Sequence, residues 1–116
     1  MSDPFVDRSL KNANEFSMPA QRLATTAAWG SIWTRPGLCL RDRSLITVAM
    51  LAAMSKSNEL EGHVIGALRN GVTEQELQEV LLQAMMYAGM PTGLEAFRAA
   101  DNAIKRYKEQ DLARKE

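Results

Sequence analysis

The stretch "RNGVTEQE", residues 69–76, ends one helix and starts another within a few residues. Asn70-Gly71 is a C-cap signal, because glycine adopts the left-handed conformation that closes a helix at little cost. Thr73 followed by Glu76 has the spacing of a capping box, in which each side chain accepts a hydrogen bond from the other's backbone N–H. Two helices joined by so short a turn form an αα-hairpin. The first is expected at 59–69, opened by Asn58 as N-cap with Glu61 three residues on. Its apolar stripe is Leu60, Val64, Ala67 and Leu68. The second is expected at 74–88, with Leu77, Val80, Leu81, Ala84 and Met85 as its stripe and Gly89 as its end.

The remaining punctuation also falls where helices start and stop. Residues 19–33, "PAQRLATTAAWGSIW", are helix-compatible, although Gly30 weakens the last turn. "TRPGL" (34–38) is a turn, since Pro36 pushes Arg35 out of the α region. A helix from Arg41 to about Ser55 is polar at its start and apolar nearly all round afterwards, so it is buried on most sides, in a core or against other subunits. Pro91 suits the first turn of a last helix, whose end "KRYKEQDLARKE" is strongly charged and expected to fray. A short helix is expected to open at Asp3-Pro4. Strand-like alternation is scarce. The expectation is therefore all-α: a single-domain bundle of about five to six helices over 1–116, with 1–16 as an N-terminal arm and 111–116 as a frayed C-terminus.

Charge and cysteine usage exclude several function classes. Lys plus Arg equals Asp plus Glu at 14 each, so no global positive field recruits nucleic acid or an anionic membrane. The longest apolar run, "LITVAMLAAM" (45–54), is about half of a bilayer-spanning helix. "MSDPFVDRSL" lacks the build of a signal peptide, which makes the cytoplasm the expected compartment. The single cysteine, Cys39, and the absence of CxxC exclude dithiol redox chemistry within one chain.

Two constellations can carry chemistry. His63 is the only histidine. It stands at the edge of the 59–69 stripe, with Glu59 four residues before it and Lys56 one turn earlier still. An edge position is near enough to the core to be dry and still open to a cleft, and Glu59 can orient the imidazole. On spacing alone, however, Lys56 and Glu59 can equally be a solvated pair and His63 an ordinary boundary residue. No second histidine or cysteine cluster exists, so no metal site is expected. The second constellation, "WGSIWTRPGLCLRDRSL" (29–45), holds two tryptophans with Arg35, Arg41 and Arg43. Guanidinium forks and indole faces suit a small organic acid. The same residues can instead be core or interface anchors, with Arg41 and Arg43 pairing with Asp42 or with another subunit.

The combination W-x-R-P-G-L, R-x-R-S-L, E-x3-H, NGVT-x-x-E and Y-x-G-x-P, in this order, resembles the γ-carboxymuconolactone decarboxylases. "FVDRSLKNANEFSMPAQRLATTAAWG" is similar to the same proteins, so the likeness covers most of the chain. It implies an all-α fold of the alkylhydroperoxidase-like kind and a homo-oligomer, commonly a hexamer. A related branch carries C-x-x-C-x3-H on the His63 helix; those cysteine positions read Lys56 and Glu59 here. The glutamate that branch places twelve residues before its first cysteine is Ser44. The peroxidase nucleophiles are thus missing while the histidine remains. The likeness therefore favours His63 as a working group. Two departures stand out: many members carry His in place of Gln83, and Ala-Ala-Asn follows the proline where this chain has Thr92-Gly93-Leu94.

The resemblance implies cofactor-independent decarboxylation of 4-carboxymuconolactone to 3-oxoadipate enol-lactone, a step of aromatic catabolism. Arg35, Arg41 or Arg43 would hold carboxylate. His63 would return the proton, oriented by Glu59. Trp33 would desolvate the leaving group, and Lys56 or Tyr87 would support the developing oxyanion. The alternative is a non-decarboxylating member of the fold with a thiol-related or oligomeric binding role, in which His63 is structural.

Overall fold

The computed structural model describes residues 14–115. The short helix expected at Asp3-Pro4, and the N-terminal arm as far as residue 13, lie outside these residues. Every regular element among them is helical: α1 (Met18–Ala27) with a π-helical segment (Ala28–Ile32), α2 (Leu40–Ala53), α3 (Ser57–Arg69), α4 (Glu74–Ala88) and α5 (Met90–Lys115). The chain divides between Leu40 and Arg41 into two compact units. No helix among the described residues is long and apolar enough to cross a membrane.

In the first unit α1 runs without a break into the π-helical segment around Gly30, the residue expected to loosen this helix. The wide turn is closed by Trp33 N–H donating to the Ala28 carbonyl at 2.7 Å. It lays Trp29 against Trp33 with ring centroids 5.2 Å apart. Neither α1 nor this segment buries a residue.

The second unit carries the core. α2 ends in a left-handed residue that is not glycine: Ser55 has φ 57°. Ser55 N–H returns to Ala52 and Lys56 N–H to Leu51, the paired bonds of a Schellman ending. Lys56 then offers its carbonyl to Leu60 N–H at 2.8 Å, so α3 starts at Ser57. The expected N-cap at Asn58 is therefore corrected: Asn58 lies inside the helix, the N-cap position is Lys56, and no side chain caps it. The Ser57 hydroxyl instead donates to Glu95 on α5.

α3 closes as expected, with Gly71 at φ 92° and Val72 N–H returning to Ala67. Both bonds of the Thr73/Glu76 capping box are present. Only Gly89 separates α4 from α5.

α5 presents Ala96, Ala99, Ala100 and Ala103, all buried, to a core of Val48, Leu60, Val64, Ala67, Leu77 and Leu81. Side chains this small allow α5 to approach α3 and α4 closely. Ion pairs and amides secure its charged half: Arg106 to Glu61 at 3.1 Å, and Arg69 to Gln110 at 3.2 Å. The stretch 111–116, expected to fray, is helical as far as Lys115.

The tightest point is Gly93, where a Cβ would lie 2.4 Å from Met85 Cβ and 3.0 Å from its Cα. Neither atom can swing away, so Gly93→Ala should force α4 and α5 apart and cost about 1–3 kcal/mol. Gly66 on α3 has open space around its missing Cβ. Gly66→Ala should instead stabilise by about 0.5–1 kcal/mol. Urea unfolding of the two variants side by side checks both signs.

Candidate active site

α3 places His63 by the same periodicity that builds the core. Leu60, Val64, Ile65 and Ala67 are buried, and His63, one residue before Val64, falls at the margin of that face and is half-buried. Glu59 stands one turn before it and is exposed. Lys56 is not on the helix: with φ −94° and ψ 69° it belongs to the turn that ends α2. The expected three-residue stack is thus a two-residue one, with Lys56 at its foot. The opposite side of α3 is structural, since Glu61 is taken by Arg106.

The head of α2 supplies two of the three expected arginines. Arg41 pairs with Glu76 and lies 3.9 Å from Asp42. Of the pairings open to it from sequence, that with Asp42 is realised, and Glu76 is added. Arg43 is half-buried two residues further on, with its carbonyl accepting from the Thr47 hydroxyl. Ser44 is only 3% exposed and accepts a 3.0 Å bond from the Asn70 amide. That bond fastens the α2 head to the C-cap of α3. Trp33, half-buried, and Arg35, exposed, belong to the first unit.

Tyr87 lies elsewhere within the second unit. It is exposed on α4 and, with Gln83 one turn earlier, lines a groove of about 650 Å³ between α2 and α4. The groove is largely apolar, with Ile46 and Met50 on its α2 side, and no α3 residue lines it. None of Lys56, Glu59 and His63 lines this groove. Of the two departures from the family pattern, Gln83 faces this groove and Gly93 presses on Met85. Among the described residues no group of three His, Cys, Asp or Glu side chains is placed to hold a metal ion. Cys39 is exposed.

Sequence reasoning missed Glu76 as a partner of Arg41. Its capping-box role was legible, but that role occupies one carboxylate oxygen and leaves the other for α2. The Ser44–Asn70 bond was also missed, since the two residues are 26 apart in sequence.

Comparison with known proteins agrees with this fold. Residues 19–102 match the model of the carboxymuconolactone decarboxylase family. The chain is similar to 4-carboxymuconolactone decarboxylase of Acinetobacter baylyi, 39% identical over 105 residues covering 90% of this chain and 78% of that protein. It is equally similar to nitrosuccinic acid decarboxylase of Metarhizium robertsii, 39% identical over 104 residues covering 90% of this chain and 73% of that protein.

The Arg41 guanidinium, hydrogen-bonded to Glu76, holds that carboxyl below its ordinary value, and the Thr73 backbone N–H adds to the effect. A carboxylate with a depressed folded-state value adds stability that is fully present above its unfolded value, about pH 4.3, and is lost as pH falls through the lower one. Glu76→Gln should therefore flatten the acid limb of the stability profile below about pH 4.3. The exposure of the pair keeps this effect small. Thermal unfolding of wild type and variant between neutral and acid pH measures it, and parallel curves would detach Glu76 from the acid response.

Proposed function

The chain belongs to the carboxymuconolactone decarboxylase family and is a carboxy-lyase, and from that premise we propose that it converts 4-carboxymuconolactone to 3-oxoadipate enol-lactone. The observation that carries the reading is the 39% identity to a 4-carboxymuconolactone decarboxylase over 90% of this chain. A second reading, nitrosuccinic acid as substrate, is favoured by the equal identity of the second relative.

The chemistry asks for little. The departing carboxylate sits on a ring carbon conjugated through C=C to the lactone carbonyl. When the C–C bond breaks, its electron pair runs to the carbonyl oxygen as a furan-like dienolate and CO2 leaves. A proton must then be added to the ring carbon next to that carbonyl. The chain has to hold the side-arm carboxylate, support the oxyanion and return the proton.

Arginine suits the first task, through a fixed and permanently charged fork. The holding role is given to Arg35, Arg41 or Arg43, of which Arg41 also pairs with Glu76 and Asp42. Trp33 would desolvate the leaving carboxylate, favouring its loss as neutral CO2. His63 returns the proton and Glu59, one turn away, orients it. Tyr87 opens onto a groove that α3 does not line. The oxyanion role is given to Lys56, at the foot of the helix that carries His63, with Tyr87 as the alternative.

The chain is also proposed to work as a homo-oligomer, with a hexamer as the form that the family resemblance implies. Support comes from Leu82, Met86, Met90 and Leu94, all exposed by 45% or more. Large apolar side chains left this exposed suit a surface that another chain covers. Met86→Glu should lower the mass found by analytical ultracentrifugation.

The test of function is CO2 release from 4-carboxymuconolactone generated in situ from 3-carboxymuconate by a cycloisomerase. Wild type should turn it over, and His63→Ala should lose about 10²-fold or more, the usual share of general acid catalysis. Full turnover by His63→Ala would remove the central assignment. Cys39→Ser should leave the rate unchanged, and its loss of activity would point to a thiol-dependent role instead.

A further inference from the structure

The two substrates named for the relatives look unalike as a lactone and a nitro acid, but they share a skeleton. In 4-carboxymuconolactone the ring carbon that loses CO2 also carries a carboxymethyl arm. The two carboxyl groups are therefore those of a succinate, with the unsaturated lactone built on C2. Nitrosuccinic acid is the same succinate with a nitro group on C2. In both, the C2 carboxylate is the one whose departing electron pair can flow into an oxygen-terminated sink, and the other arm carries the retained anion.

The two sinks place different demands on proton transfer. The dienolate from the lactone is a strong base and has to be protonated on carbon, away from the site of cleavage. The nitronate from nitrosuccinate is a weak base that persists in water. Its formation balances without a proton: the C–C bond breaks, CO2 leaves, and the pair rests on the nitro oxygens.

The chain distributes these demands over different elements. Under the proposed function, holding an anion falls to arginine, and Arg41 and Arg43 stand half-buried at the α2 head. The only imidazole, His63, sits on α3, half-buried at the margin of a stripe whose other members form the core. Anion holding and proton return are thus separable in this molecule.

Resting on the proposed function, we infer that this one chain decarboxylates both compounds, that its substrate class is succinates bearing an oxygen-terminated electron sink on C2, and that His63 acts only where the sink must be protonated on carbon before release.

The experiment uses the full chain and two probes, 4-carboxymuconolactone and synthetic 2-nitrosuccinate, with enzyme-free CO2 release subtracted from each. Wild type should turn over both. His63→Ala should lose about 10²-fold or more on the lactone, yet stay within about threefold of wild type on nitrosuccinate. The wild-type pH profiles give a check that needs no variant. The lactone rate should fall on the alkaline side as the proton donor loses its proton, and the nitrosuccinate rate should show no such limb.

If His63→Ala fails to fold, His63→Gln and the two pH profiles carry the comparison. Turnover of the lactone alone would overturn this inference and leave the proposed function standing. Turnover of nitrosuccinate alone would overturn the proposed function and the shared class with it. Turnover of neither would overturn both. Equal loss on both substrates in the variant would overturn the selective role of His63, and a shared pH limb would do the same.

Discussion

The close approach of α5 to α3 and α4 is the constraint on which the rest of the second unit depends. A helix can come this near only where its inner face is small, and Ala96, Ala99, Ala100 and Ala103 supply that face. At Gly93 even a methyl group is too much, because Met85 lies where a Cβ would be. The larger side chains of the core, Leu60, Val64, Leu77 and Leu81, come from α3 and α4. The fit is therefore one of large against small, with α5 as the smooth partner. Polar links then fix α5 along its length, from Ser57–Glu95 near its start to Arg69–Gln110 near its end. α3 is the helix these links grip most often, and it is also the helix that presents His63. A side chain at the edge of a core keeps its place only if its helix does not roll, and the tethers of α3 oppose rolling.

Much of this was legible in the sequence because it is local. Thr73 and Glu76 predict a capping box from spacing alone, and Gly71 and Gly89 predict left-handed endings; all of these are found. The stripe Leu60, Val64, Ala67 follows from a 3.6-residue period and turns inward as expected. What was illegible is either non-local or conditional. Asn58 is a good N-cap residue in isolation, but the Schellman ending of α2 returns the chain to helix two residues too early for it. Ser55 in a left-handed conformation cannot be foreseen from a serine. The pairing of Arg41 with Glu76 spans 35 residues, and nothing in either neighbourhood announces it.

The candidate site was legible in kind rather than in arrangement. His63 and Glu59 share a face because i and i+4 do so on any helix. Lys56 belongs with them in sequence but precedes the first turn, where helical spacing no longer applies. Tyr87 carries a plausible donor on an exposed face, yet its helix turns it to the groove shared with α2. Residue type can nominate a side chain for a role, whereas membership of one cavity depends on how helices pack, and packing is written in distant pairs such as Gly93 and Met85.

Ser44 has a structural task in this chain. The related branch needs a glutamate there and cysteines at positions 56 and 59, since thiol chemistry requires two nucleophiles and a base. Here Ser44 is buried, and its hydroxyl accepts the amide of Asn70, so the position has become part of the join between the α2 head and the α3 ending. A buried carboxylate in its place would have to be paired or neutralised. Lys56 and Glu59 are exposed and cost the fold nothing in apolar contact. Decarboxylation onto a built-in electron sink needs no nucleophile, because the substrate itself accepts the electron pair. A held anion and one proton suffice for it.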